Sequence, residues 1–137
     1  LRKKYIDTGK VRFFSQNFPL EIHRNAMRAA EAGLCAADQG KFWPLREMLA
    51  ENPDKLAEAD VLGYAGKAGL DVKAFGACLT SGKHREAVNK EVAEAGALGV
   101  QGTPSFIIGK TTPEGVDGVL VVGAVPLADF EAVLGKF

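Results

Sequence analysis

A mixed α/β fold is what this sequence predicts, with helices through its middle and strands towards both ends. Three observations carry that expectation. Apolar residues recur at helical spacing through most of 24–98. Short apolar runs bounded by turn residues stand at 10–16, 105–108 and 119–122. Between the last helical stretch and the second of those runs the chain reads Gly99-Val100-Gln101-Gly102-Thr103-Pro104-Ser105-Phe106-Ile107-Ile108. A proline at the mouth of an apolar run fixes φ and cannot donate to a ladder, so it marks a sharp turn before the strand starts. A cis X–Pro bond is one way to make such a turn.

The elements follow in order. Leu1 to Thr8 reads as the end of a helix, stopped by Gly9. Lys10 to Gln16 reads as a short strand with Val11, Phe13 and Phe14 apolar, ended near Pro19. Arg24 to Ala37 is an alanine-rich helix whose Met27, Ala30, Leu34 and Ala37 form a narrow face for a close neighbour. Gly40 interrupts it, and Lys41 to Ala50 continues as a helix with Phe42, Leu45 and Leu49 on one side. Pro44 suits that helix only within its first turn, where amide donors lack partners anyway.

Asn52-Pro53-Asp54 is a loop, and helices follow at 57–68, 71–80 and 83–98. Asp71 and Ser81 are placed to cap the second and third of these, and Val88, Val92 and Ala95 mark the buried face of the third. Ser105–Ile108 and Val119–Val122 then form an antiparallel pair joined by a long polar loop, Gly109–Gly118. Pro126 opens a final helix carrying Leu127, Phe130, Leu134 and Phe137.

Composition narrows the function classes. The 137 residues are one domain's worth of chain. Seventeen basic and seventeen acidic residues cancel, so no net field favours nucleic acid or an anionic membrane. The longest apolar run, around Val119–Val122, is strand-sized and far short of a bilayer span.

Several residue groups invite a chemical reading. Two cysteines and two histidines lack any C-x2-4-C or H-x3-5-H unit, so no metal site is expected. Gly109-Lys110-Thr111 resembles the tail of a phosphate-binding loop, but that motif needs glycine where Pro104 stands. His23 is placed to satisfy backbone groups where a helix begins, with a proton relay or substrate contact as the functional alternative. His84 falls on a charged, solvated turn, and Phe42 and Trp43 read as core aromatics. Cys35 and Cys78 are either two buried thiols or, in an oxidising compartment, a disulfide.

The chain also resembles a known family. Gly9-Lys10-Val11-Arg12-Phe13, Asn17-Phe18-Pro19-Leu20 with His23 and Ala26, Ala29-Ala30-Glu31-Ala32, Gln39-Gly40-Lys41-Phe42-Trp43, Gly69-Leu70-Asp71 and Gly102-Thr103-Pro104-Ser105-Phe106 are similar, in this order, to DsbA-like thiol–disulfide oxidoreductases. The resemblance runs from about Lys4 to the last helix. It departs at one place: the family's C-x-x-C pair at a helix start is absent from this sequence.

That resemblance implies a single, incomplete thioredoxin-like domain over 1–137, with an inserted helical subdomain at 24–97 and thioredoxin-fold parts at 1–23 and 98–137. The first strand and the C-x-x-C would lie upstream of Leu1, so no catalytic residue is expected within this chain. Thr103 and Pro104 would form the cis-proline loop that faces the redox pair and receives an extended substrate peptide. Cys35 and Cys78 would form a structural disulfide within the inserted subdomain.

The implied activity is dithiol/disulfide exchange on cysteines of unfolded or exported polypeptides in the periplasm or cell envelope. A membrane redox protein would be a second partner, and no organic cofactor, metal or nucleic acid is implied. The chain as it stands is expected to be inactive in exchange, and its incomplete sheet to favour association with another copy. A glutathione-dependent isomerase or transferase of the same fold, and a non-catalytic peptide-binding module, are the alternatives. The direction of exchange, whether oxidation, reduction or isomerisation, is not legible in these residues.

Overall fold

The computed structural model describes residues 1–137 and is mixed α/β, mostly helical, with one two-stranded antiparallel hairpin. The chain forms two compact units, Asn17–Ala93 and Leu1–Gln16 with Glu94–Phe137. No helix is long and apolar enough to cross a membrane.

The first unit is helical. It holds α1 (Ala26–Ala37), α2 (Phe42–Glu51), α3 (Glu58–Lys67), α4 (Val72–Ser81) and most of α5 (Arg85–Ala97). Ala32, Cys35, Ala36, Leu45, Val61, Tyr64, Ala65, Leu70, Phe75 and Leu79 make its core. The buried face of α1 is therefore centred on Ala32, Cys35 and Ala36, whereas Ala37 of the expected stripe is exposed. Small residues there admit close neighbours: a Cβ on Gly33 would come within 3.3 Å of the Phe42 ring. Pro44 lies in the first turn of α2.

Local chemistry sets the ends of α4. Asp71 caps it by accepting from the Ala74 N–H at 3.0 Å. The Gln39 side-chain amide accepts from Asp71 N–H at 2.8 Å and donates to Asp71 C=O at 3.3 Å, fixing the start of α4 beside the end of α1. Ser81 is not the cap of α5. It is the last residue of α4, and its hydroxyl donates to Cys78 C=O at 2.7 Å. Gly82 then turns the chain at φ +64°, a conformation costly for a residue with a Cβ.

In the second unit, β1 (Ser105–Thr112) pairs with β2 (Gly115–Val122) from Ser105↔Val122 to Thr112↔Gly115. The expected long loop at Gly109–Gly118 is thus mostly strand, and only Pro113 and Glu114 separate the two strands. Gly109 and Gly118 lie opposite each other and bring the backbones together where bulkier residues could not fit. Helix α6 (Leu127–Leu134) packs on β1 through an edge-to-face contact of Phe106 and Phe130, with ring centroids 4.9 Å apart. Pro126 is the residue before that helix, not its first, and its carbonyl accepts from Asp129 N–H at 3.0 Å.

Two expectations near the start of the chain are corrected. Arg2–Ile6 is a single π-helical turn capped by Asp7, and Gly9 at φ +74° turns the chain just beyond it. Lys10–Gln16 is not a strand. Val11, Phe13 and Ser15 are half-buried and Arg12, Phe14 and Gln16 exposed, so the alternation that suggested a strand is present. A strand also needs a ladder partner, and the only ladder joins β1 to β2.

Candidate functional site

The Thr103–Pro104 loop is held from both sides. After α5, Gly99 at φ +88° turns the chain, and Val100 N–H returns to Ala95 C=O at 3.0 Å. Ser105 Oγ donates to Gly102 C=O at 2.6 Å, closing a tight turn around Thr103 and Pro104. The Pro104 carbonyl accepts from Gly123 N–H at 2.8 Å, extending the hairpin ladder by one step. The Thr103–Pro104 peptide bond is cis. Thr103 and Pro104 both remain exposed at the start of β1. The loop therefore presents a short, firmly anchored edge to solvent.

A second cluster lies in the helical unit. Cys35 on α1 and Cys78 on α4 form a disulfide with α-carbons 6.0 Å apart, inside the usual bridging range. Cys35 is buried and Cys78 half-buried. The turn at Gly82 brings Lys83 and His84 back to Asp38, whose Oδ2 lies 2.8 Å from both Lys83 Nζ and His84 Nε2. Those hydrogen bonds, Lys83 first and His84 second, hold the Asp38 carboxyl below the usual carboxylate range. His84 is not a solvated bystander, because its side chain keeps only 16% of its exposure.

This proximity was hidden in the sequence. One ligand atom each from Cys35, Cys78 and His84 lies within 4.8 Å of the others, although no metal-binding spacing links them. The cluster is assembled by the packing of α1 on α4 and by the turn after α4. Lysine followed by histidine directly after a glycine helix stop was the one available signal. With the sulfurs bonded to each other, neither is a thiolate able to ligate or attack.

The remaining candidates separate. His23 lines an open cavity of about 410 Å³ with Ile22, Arg24, Pro53 and Leu56, and its N–H donates to Leu20 C=O at 3.0 Å. Trp43 is 43% exposed, with Arg46 stacked 5.7 Å from its ring, so it is not a core residue. Gly109-Lys110-Thr111 lies inside β1 and forms no phosphate loop.

Comparison with known proteins gives the chain's family. A family model described as thioredoxin matches residues 1–117, which include that loop. The chain is 33% identical over 117 residues to a Bacillus cereus protein named probable disulfide bond formation protein D, covering 79% of this chain and 54% of that one. It is 30% identical over 131 residues to Na(+)/H(+) antiporter NhaA 3 of Salinispora tropica, covering 95% of this chain and 20% of the antiporter. A further match, 33% over 109 residues, is to Na(+)/H(+) antiporter NhaA 1 of Salinispora arenicola, covering 79% of this chain and 17% of the antiporter. The chain thus spans about a fifth of the length of these antiporters and about half of the Bacillus protein.

Proposed function

Because the chain belongs to the thioredoxin family, in its DsbA-like branch, we propose that it is a domain of a thiol–disulfide oxidoreductase acting on cysteines of exported polypeptides. The observation that carries this reading is the family match across residues 1–117, which takes in the exposed Thr103–Pro104 edge. On this reading the fold is thioredoxin-like with an inserted helical subdomain, and an extended, cysteine-bearing peptide lies along Thr103 and Pro104. The redox pair is a C-x-x-C that these 137 residues do not contain. In either direction a thiolate attacks a disulfide sulfur, the other sulfur leaves as a thiolate, and a further thiolate resolves the mixed disulfide.

The setting that fits this chemistry is the periplasm or cell envelope, with a membrane redox protein restoring the oxidation state. The hairpin, with Val116, Val119 and Val122 exposed and one unpaired edge on each strand, offers a ladder that a second copy can extend. A non-catalytic peptide-binding module is a second reading. It is favoured by the fact that the chain's two cysteines are bonded to each other.

Two measurements test the proposal. Titration of the isotope-labelled chain with an extended cysteine-bearing peptide is expected to shift backbone amide signals at Gly102–Phe106. Unmoved signals in that segment at millimolar peptide would sink both readings. Insulin reduction by these 137 residues is expected to stay at background. Turnover above it would move the chemistry to Cys35–Cys78 and overturn the assignment of a separate redox pair.

A further inference from the structure

The cluster around the disulfide has no part in the exchange chemistry proposed for the proline loop, yet its composition is unusual for a purely structural bridge. Cys35, Cys78 and His84 each place a ligand atom within 4.8 Å of the other two. Asp38, three residues beyond Cys35, adds a carboxylate oxygen 2.8 Å from His84 Nε2 and 3.8 Å from Cys78 Sγ. Two sulfurs, an imidazole nitrogen and a carboxylate oxygen are donors that zinc binds tetrahedrally. Thiolate sulfur and imidazole together select zinc over the hard cations magnesium and calcium.

We infer that Cys35, Cys78, His84 and Asp38 are a redox-gated zinc site, closed as a disulfide when oxidised and open to Zn2+ when reduced. The gate is chemical. A dithiol or phosphine reductant delivers two electrons to the Cys35–Cys78 bond, which breaks and takes up two protons to leave two thiols. A dithiol becomes its own disulfide in that step, and a phosphine becomes its oxide with oxygen from water. Zn2+ then replaces the two thiol protons, which pass to solvent.

Geometry permits the second state. Two sulfurs on one zinc, each at about 2.3 Å, stand about 3.8 Å apart. Cysteines with α-carbons 6.0 Å apart can reach that separation by side-chain rotation. His84 comes from the turn between α4 and α5, not from a packed helix, so its ring can adjust. The site has a buried floor at Cys35 and an open side at Asp38, which gives the ion a path from solvent. Cys35 belongs to the same buried core as Leu45, Val61, Phe75 and Leu79, and Cys78 packs against that core, so apolar burial there persists when the S–S bond is broken. Lys83 is the competitor: its Nζ lies 2.8 Å from the same Asp38 oxygen and must yield to the metal.

Cobalt titration of the whole chain tests this. Reduced with a phosphine under anaerobic conditions, the protein is expected to bind one Co2+ per chain with the intense visible bands of tetrahedral thiolate coordination. Zn2+ should displace it stoichiometrically, and the oxidised protein should show no such bands. His84→Ala and Cys78→Ser should each weaken binding at least about tenfold. Lys83→Ala should leave it equal or tighter, because the ammonium that competes for the Asp38 oxygen is gone. Circular dichroism covers the folding question: helix lost on reduction and restored by Zn2+ supports the site. Helix lost and not restored overturns it, as do a reduced protein without the cobalt bands, equal binding to the oxidised form, or a His84→Ala variant that binds like the parent.

Discussion

Glu31, only 1% exposed, is gripped by Arg85, whose Nε and Nη2 reach its two carboxylate oxygens at 3.2 and 3.0 Å. Arg28 approaches the same carboxylate at 3.7 Å and also reaches Glu58 at 3.3 Å, so α1, α3 and α5 are tied through one buried acid. The Glu31 contact, chiefly by hydrogen bonding, raises the Arg85 pKa further above its already high value. Removing Arg85 leaves the buried carboxylate with only the more distant Arg28 to offset its desolvation. Arg85→Ala should therefore lower Tm clearly, and Arg85→Ala with Glu31→Gln should recover part of the loss. A single Arg85→Ala variant melting like the parent in thermal scans would show that the carboxylate is not held as described.

The Cys35–Cys78 bond closes a long stretch of chain, with a sequence separation of 43. In the chain-entropy picture a loop of that length contributes up to about 4 kcal/mol by restricting the unfolded state. Denatured, unreduced protein should show no free thiols. The Cys35→Ala, Cys78→Ala double variant should lose up to that amount in urea denaturation. For scale, Phe75→Ala in the same core should cost about 3–5 kcal/mol. Two reactive thiols in the unreduced protein would contradict the bond outright.

What the sequence made legible was chiefly local. Helix positions follow from apolar spacing, the Asp71 cap from its side-chain chemistry, and the start of β1 after Pro104 from proline's missing donor. What escaped it depends on partners distant in the chain. Val11–Gln16 has a strand's alternation, but pattern alone cannot supply a neighbouring strand. The reach of β1 and β2 through Gly109 and Gly118 was masked because glycine, aspartate and threonine read as loop. His84 meets Asp38 across 46 residues, and no short motif encodes that contact or the one with the cysteines.

Acid should weaken both units through particular carboxylates. Glu131 accepts hydrogen bonds from Lys4 and Tyr5, and these, Lys4 first, hold its pKa below the ordinary value. Asp38 is held low by Lys83 and then His84. A carboxyl whose folded pKa is depressed contributes its stabilisation above the unfolded pKa, near about 4, and loses it as pH falls through the lower folded value. Glu131→Gln and Asp38→Asn should thus melt below the parent at neutral pH, with each gap closing in acid. Both pairs face solvent, so the gaps should be small and added salt should narrow them. A gap that widened as pH fell would reverse the sign of the coupling.

The hairpin rests on two glycines in register, Gly109 opposite Gly118. A Cβ added at Gly109 would lie 2.0 Å from the Asp117 carbonyl oxygen, and one at Gly118 would lie 2.3 Å from that of Ile108. Both obstacles are backbone, so no side-chain rotation relieves them, and the strands would have to part or slip. Slippage by one residue would exchange the faces of the hairpin and take Phe106 away from Phe130. Gly109→Ala and Gly118→Ala should each cost about 1–3 kcal/mol, the range of overpacked sites, and speed amide exchange along Phe106–Ile108. Gly96→Ala is the control, because it lies within α5 and a Cβ there meets nothing within 4 Å. That change should be neutral or stabilising by about 0.5–1 kcal/mol. If Gly109→Ala melted and exchanged like Gly96→Ala, the pairing of Gly109 with Gly118 would be wrong, and with it the anchoring of the Thr103–Pro104 edge by β2.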